Sequence, residues 1–114
     1  MLPQTARLRK TKDFKEVFGK GRGVRDGRLF LKARAAKNEG VRFGIVVSKQ
    51  VAAKAVDRNR MKRLLREAVK YCMPDVRGGH DIVLVTLPGF AAANLAEAKA
   101  QVKSIIKKSS LFKP

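Results

Sequence analysis

The chain has 114 residues, with 27 Lys and Arg against 9 Asp and Glu for a formal net charge of +18; that length suits one domain around one core and leaves no room for a second. Hydrophobic residues at 45% exclude a compositionally disordered chain, and with no Trp and only 6% aromatic residues the core falls to aliphatic side chains. So dense a positive charge repels itself and calls for a polyanion, with nucleic acid the first candidate and an anionic membrane surface the competitor.

Residues 1–10 are basic and irregular and are expected to form a mobile tail. Thr11 reads as an N-cap with Asp13 in the first turn, and Phe14, Val17 and Phe18 follow at helical spacing until Gly19 and Gly21 end a short helix. Arg22–Gly27, with three charges and two glycines, reads as a loop. Gly27–Ala36 reads as a strand with Leu29, Leu31 and Ala33 on one face and Phe30, Lys32 and Arg34 on the other. A polar turn, Lys37-Asn38-Glu39-Gly40, leads into a second strand, Val41–Ser48, whose run Phe43-Gly44-Ile45-Val46-Val47 predicts burial on both faces. After a connector a helix runs from about Asp57, which can cap it, to about Cys72, stopped by Pro74 and Gly78-Gly79. Asp81–Leu87 is a third apolar strand. Asn94 and Glu97 form a capping box for a last helix that buries Leu95, Ala98, Val102, Ile105 and Ile106, and residues 108–114 form a second mobile basic tail. Helix, strand, strand, helix, strand, helix is the order of a single α+β domain over residues 1–114, one sheet with helices packed on it.

On a wheel of the helix at 57–72, Met61, Leu64, Leu65, Ala68, Val69 and Cys72 gather in one sector, while Asn59, Lys62, Arg63, Arg66 and Lys70 gather opposite. Most charge runs are merely solvated faces. This one has almost no anionic partners, since only Glu67 stands at i, i+4 from Arg63, and it prefers Arg, whose planar fork matches phosphate and stacks on bases. Arg58-Asn59-Arg60 sits at the helix entrance, where exposed N–H groups add anion affinity. Asn59 reads equally well as an RNA or hydrated-metal contact and as a simple cap.

Phe14 and Phe18 lie one turn apart among Lys12, Lys15 and Lys20, as single-stranded nucleic acid requires, although spacing alone favours plain packing on the sheet. Gly-Lys-Gly-Arg-Gly at 19–23 lacks the strand and the Ser/Thr ending of a P-loop. His80 is the only His, no nucleophile has a base and an orienter, and the nine acids are scattered, so the protein is expected to supply no catalytic residue and no metal ligand. Cys72 is unpaired, there is no signal-like apolar segment and no membrane-length run, all of which lead to the expectation of a soluble, cytoplasmic protein.

The stretch Arg58-Asn59-Arg60-Met61-Lys62-Arg63-Leu64-Leu65-Arg66-Glu67-Ala68 resembles the signature of the bacterial ribonuclease P protein component. The resemblance extends through Leu8-Arg9-Lys10, Asp13-Phe14, Val17-Phe18, the strand Phe43 to Lys49 and Asp81-Ile82-Val83-Leu84-Val85. It implies the fold of the second domain of ribosomal protein S5, a mixed sheet with a left-handed βαβ crossover, against the usual handedness. It also implies a ribonucleoprotein endoribonuclease that removes the 5′ leader of precursor tRNA, with the RNA subunit performing the hydrolysis with Mg²⁺ held mainly by RNA and substrate, and no protein partner required. By position, Arg58, Asn59, Arg60, Lys62, Arg63 and Arg66 would meet the catalytic RNA, with Lys49 at the cleft edge, and Phe14 and Phe18 would line the leader cleft. Lys32 stands where some members carry an aromatic contact, which implies a phosphate contact there; Gln50, Ala52-Ala53 and Leu87 also depart from common family residues. A structural RNA-binding protein of the ribosome fits the charge and fold class equally well. A membrane-surface binder fits less well, because the apolar face of the basic helix is needed for the core.

Overall fold

Period-two alternation decides how the sheet is covered. The computed structural model describes residues 7–8, 11–36 and 40–114. Its strands are β1 (Arg22–Asp26), β2 (Leu29–Ala35), β3 (Val41–Val46) and β4 (His80–Thr86), in the order β1-β2-β4-β3. The β1–β2 and β2–β4 pairs are antiparallel and β3–β4 is parallel, a mixed sheet. Its helices are α1 (Thr11–Lys20), α2 (Ala55–Cys72) and α3 (Leu95–Lys108). A parallel neighbour demands a crossover, and α2 supplies it between β3 and β4.

Leu29, Leu31, Phe43, Ile45, Ile82 and Leu84 point to one face and pack with Leu65, Ala68 and Val69 of α2 and Ala98, Val102, Ile105 and Ile106 of α3. Val83 points to the other, where it packs with Leu8 and Val17, flanked by Phe14, Val46 and Val85. The apolar runs in β3 and β4 are thus covered on both sides, as their lack of alternation predicts. Each fully buried aliphatic side chain contributes about 1.5–3 kcal/mol through removal from water. Arg42 and Asp81, register partners on the α1 face, form a two-pronged ion pair at 2.9 and 2.7 Å, and Arg42 also lies 3.6 Å from Asp13 in the first turn of α1.

Four expectations change. Residues 22–26 are a strand, not a loop: they form an edge hairpin with β2 through the two-residue turn Gly27-Arg28, where Gly27 takes φ +60. Its charges point to water on an edge that tolerates them. Thr11 is already helical, and Asp57 lies in the first turn of α2 while Lys54 holds the cap position without a side-chain bond. The C-terminal segment is not a free tail. Leu111 is buried, Val76 bridges Phe112, Arg77 N–H donates to Leu111 O and Lys113 N–H to Asp75 O. At the other terminus, Leu8 N–H donates to Phe43 O, while the expected tail at 1–6 and 9–10 and the turn at Lys37–Glu39 lie outside the described residues. The capping box is confirmed in its main bond, with Asn94 Oδ1 accepting from Glu97 N–H at 2.9 Å.

Cys72 closes α2 against α3, and burial pushes its thiol above the ordinary range. Alkylation by iodoacetamide at neutral pH is therefore expected to be slow in the native chain and fast in urea; equal rates would mean that the α2–α3 seam is open.

Candidate nucleic-acid interface

The apolar sector of α2 is fixed by the core, so its opposite sector must face outward. Leu65, Ala68, Val69 and Cys72 are buried, whereas Asn59, Arg60, Arg63 and Lys70 are exposed and Lys62 and Arg66 half-buried. Val56, Asn59, Lys62, Arg63 and Arg66 line an open depression along this face. Arg58 behaves differently from its neighbours: its Nη1 donates to Ala52 O at 3.0 Å and Ala53 O at 2.8 Å. It thus ties the connector to the first turn of α2. Lys49 lies exposed at the start of that connector, whose turn is closed by Val51 and Ala52 N–H donating to Ser48 O.

Around the edge of α2 the depression becomes a cleft. Lys62 and Arg66 line both, and in the cleft they are joined by Arg7, Phe14 and Gly44, around a cavity of about 330 Å³. A Cβ on Gly44 would lie 2.5 Å from two ring carbons of Phe14, so only glycine lets the ring lie flat on the strand. Phe14 therefore both packs on β3 and lines the cleft. Arg7 is placed by a parallel bridge to Phe43, and its Nε and Nη2 are buried without a hydrogen-bond partner among the described residues. Arg66 is held below the ordinary arginine range, first by burial and then by the charge of Arg7. Two guanidinium groups partly removed from water, with an ammonium lining the same cleft, repel one another; an anion lodged between them would satisfy both unpaired donors and relieve the repulsion.

Phe18 and Lys32 meet farther along the same sheet face. Phe18 is 40% exposed, and Lys32 Nζ donates to its carbonyl oxygen at 2.9 Å, so this cation already closes the end of α1. Arg34 of β2 pairs with Glu16 of α1, whose carboxyl is held below the usual range first by that hydrogen bond. The structure thus brings Phe14, Lys62 and Arg66 together, sets Asn59 and Arg63 beside them, leaves Arg60 exposed near the helix entrance outside the lining of that depression, and turns Arg58 and Lys32 partly to internal bonds. Sequence reasoning missed Arg7, because its role depends on the pairing with β3. It also passed over Phe30, which shares the Lys32 face and lies over Gly23, although the alternation at 29–34 shows it.

Chemically the surface is a set of donors and rings, suited to binding phosphates and unstacked bases. Among the described residues no three His, Cys, Asp or Glu come together to hold a metal ion, and no helix is long and apolar enough to cross a membrane.

The comparisons agree on one family. The family model described as Ribonuclease P matches residues 2–110. A ribonuclease P protein component of Pseudanabaena sp. is 37% identical over 113 residues, covering 98% of this chain and 97% of that one. One from Synechocystis sp. is 30% identical over 112 residues, covering 97% and 90%. Among solved structures, the RNase P protein of Staphylococcus aureus superposes with a TM-score of 0.85 at 25% identity, covering 95% of this chain and 98% of that one. The RNase P protein of Thermotoga maritima gives 0.79 at 25%, covering 90% and 96%.

Proposed function

Because the chain belongs to the ribonuclease P protein family, a subunit of an endoribonuclease that partners the ribonuclease P RNA, we propose that it binds that RNA and the single-stranded 5′ leader of precursor tRNA while the RNA performs the hydrolysis. The observation that carries the reading is Arg7, whose buried Nε and Nη2 have no hydrogen-bond partner among the described residues, in the cleft with Arg66, Lys62 and Phe14: donors suited to an anion beside a ring suited to a base.

The exposed sector of α2, with Asn59, Arg60 and Arg63, docks the catalytic RNA, and Arg58 supports it by holding the connector that carries Lys49. Phe14 and Phe18 receive leader bases, and Lys32, with one donor spent on Phe18 O, keeps two for a phosphate. Lys62 and Arg66, common to both surfaces, place the leader beside the RNA subunit. In this reading the Mg²⁺, a hard cation that takes oxygen ligands and keeps several waters, is held mainly by RNA and substrate oxygens.

The test is 5′ cleavage of precursor tRNA by the cognate RNA at low Mg²⁺, with and without the protein. Strong stimulation is expected, together with tighter binding of leader-bearing than of mature tRNA. Absence of stimulation would sink the proposal, and equal affinity for the two tRNAs would place the chain among structural RNA binders.

A further inference from the structure

A second cavity lies at the opposite end of the sheet. α3 ends at Lys108, and the chain then turns sharply at Ser110, whose φ is 58, and crosses to bridge Val76. Past that turn α3 gives no further cover, and the end of the β1–β2 hairpin where Arg22 pairs with Ala33 is bordered by the last residue of α1, Lys20, and by residues 109–111. The space left is about 410 Å³, a volume typical of a small-ligand site. Val24, Leu31, Ala33 and Leu111 contribute its apolar lining, and Lys20, Arg22, Arg77 and His80 its polar one. The lining itself contains no carboxylate; Arg34, which also lines it, is paired with Glu16, whose carboxyl also feels the charge of Lys20, whereas the side chains of Arg22 and Arg77 have no hydrogen-bond or ion-pair partner among the described residues.

We infer that this cavity takes one unpaired nucleotide of a bound RNA, its phosphate on Arg22 and Arg77 and its base against Leu31, Ala33 and Leu111. A bare phosphate would gain nothing from the apolar lining, and an uncharged ligand nothing from the cations. His80 adds a polar contact suited to a base: its Nδ1 lies 3.0 Å from Gly78 O, which can only accept, so Nδ1 donates there and Nε2 is left for a hydrogen bond with a base edge. A paired base, stacked inside a helix, cannot enter such a concavity.

The site is separate from the cleft at Arg7. The cleft lies on the α1 face of the sheet, against Gly44 and Phe14, and the first turn of α2 follows the end of β3 that pairs beside Val85. The second cavity lies at the His80 end of β4, so a different segment of RNA must fill it. The inference goes beyond the proposed function and does not need the leader.

Titrating the isotopically labelled full chain with uridine 5′-monophosphate, inorganic phosphate, uridine, a short single-stranded oligouridylate and an RNA duplex tests it by amide shifts. The nucleotide and the single strand should move Ala33, His80 and Leu111, with the nucleotide about tenfold tighter than phosphate, as burial of part of a base implies. Arg22→Glu and Arg77→Glu should each weaken that response about tenfold, the scale of one lost charged hydrogen bond. Both positions are exposed and both changes lower the net charge, so unchanged unfolding midpoints are expected. Shifts confined to Phe14, Lys62 and Arg66, equal affinity for phosphate and nucleotide, or a duplex that binds as well as the single strand would each overturn the inference. Stimulation of precursor cleavage is scored separately: if it persists while the cavity stays silent, only this inference fails, and if the cavity responds without stimulation, the proposed function fails instead.

Discussion

Asp81→Ala is expected to destabilise the fold by about 3 kcal/mol, the lower end of the range for breaking a buried ion pair. Asp81 is 4% exposed and accepts two hydrogen bonds from Arg42, 2.9 and 2.7 Å long. Removing it leaves the guanidinium with Asp13 at 3.6 Å as its remaining carboxylate among the described residues. The loss stays at the low end because the Arg42 side chain is 31% exposed and can regain some water. The hydrogen bonds to Asp81 hold Arg42 above the ordinary arginine range, so its contribution is present throughout neutral pH and, on the alkaline side, is lost only in strong alkali. Asp13→Ala, which removes only the longer contact, should cost less than about 1 kcal/mol, as for a partly exposed pair. Urea unfolding at constant m-value reads both. Equal, small losses would mean that Arg42 and Asp81 are not a pair in solution. The loss matters because a domain of this size is stabilised by only about 5–15 kcal/mol in total and this one must also bear its own positive charge.

How much of this was legible depends on what each residue's role requires. The faces of α2 needed only local periodicity, and the buried set Leu65, Ala68, Val69 and Cys72 matches the wheel. The order of elements followed in the same way. β1 was missed because an edge strand needs just one inward residue, Val24 among charges, and its pairing is decided by β2 across the turn. The C-terminal segment was misread because its partners, residues 74–77, lie more than thirty positions earlier, beyond any local pattern. The family resemblance supplied the list of cations but not their present bonds. Arg58 and Lys32 look like free donors in the sequence and spend hydrogen bonds on Ala52, Ala53 and Phe18 carbonyls in the fold. Arg7, whose buried Nε and Nη2 find no partner among the described residues, falls in a stretch that reads as tail.

That contrast leads to a prediction separating binding from folding at a single residue. A cation placed for the fold is destabilising to remove; one placed for a polyanion is not. Arg7→Met keeps a long apolar stem for the cleft wall while deleting the buried unpaired donors and the charge that pushes down on Arg66. The free protein should therefore be as stable as the parent or slightly more so. RNA affinity should nevertheless fall by about 1.5–3 kcal/mol, the range for a hydrogen bond to a charged group. Arg66→Ala should do the same, and each should reduce the slope of log affinity against log salt by about one unit for the phosphate no longer held. If both arginines grip one phosphate, the double variant loses less than the sum of the singles, because the second deletion removes a contact already weakened by the first. Arg58→Ala gives the opposite pattern, with stability falling through the released connector and the salt slope changing little. An Arg7→Met protein that unfolds more easily and binds RNA with an undiminished salt slope would show that the orphaned guanidinium is an element of the fold, and the cleft would then have to be read without it.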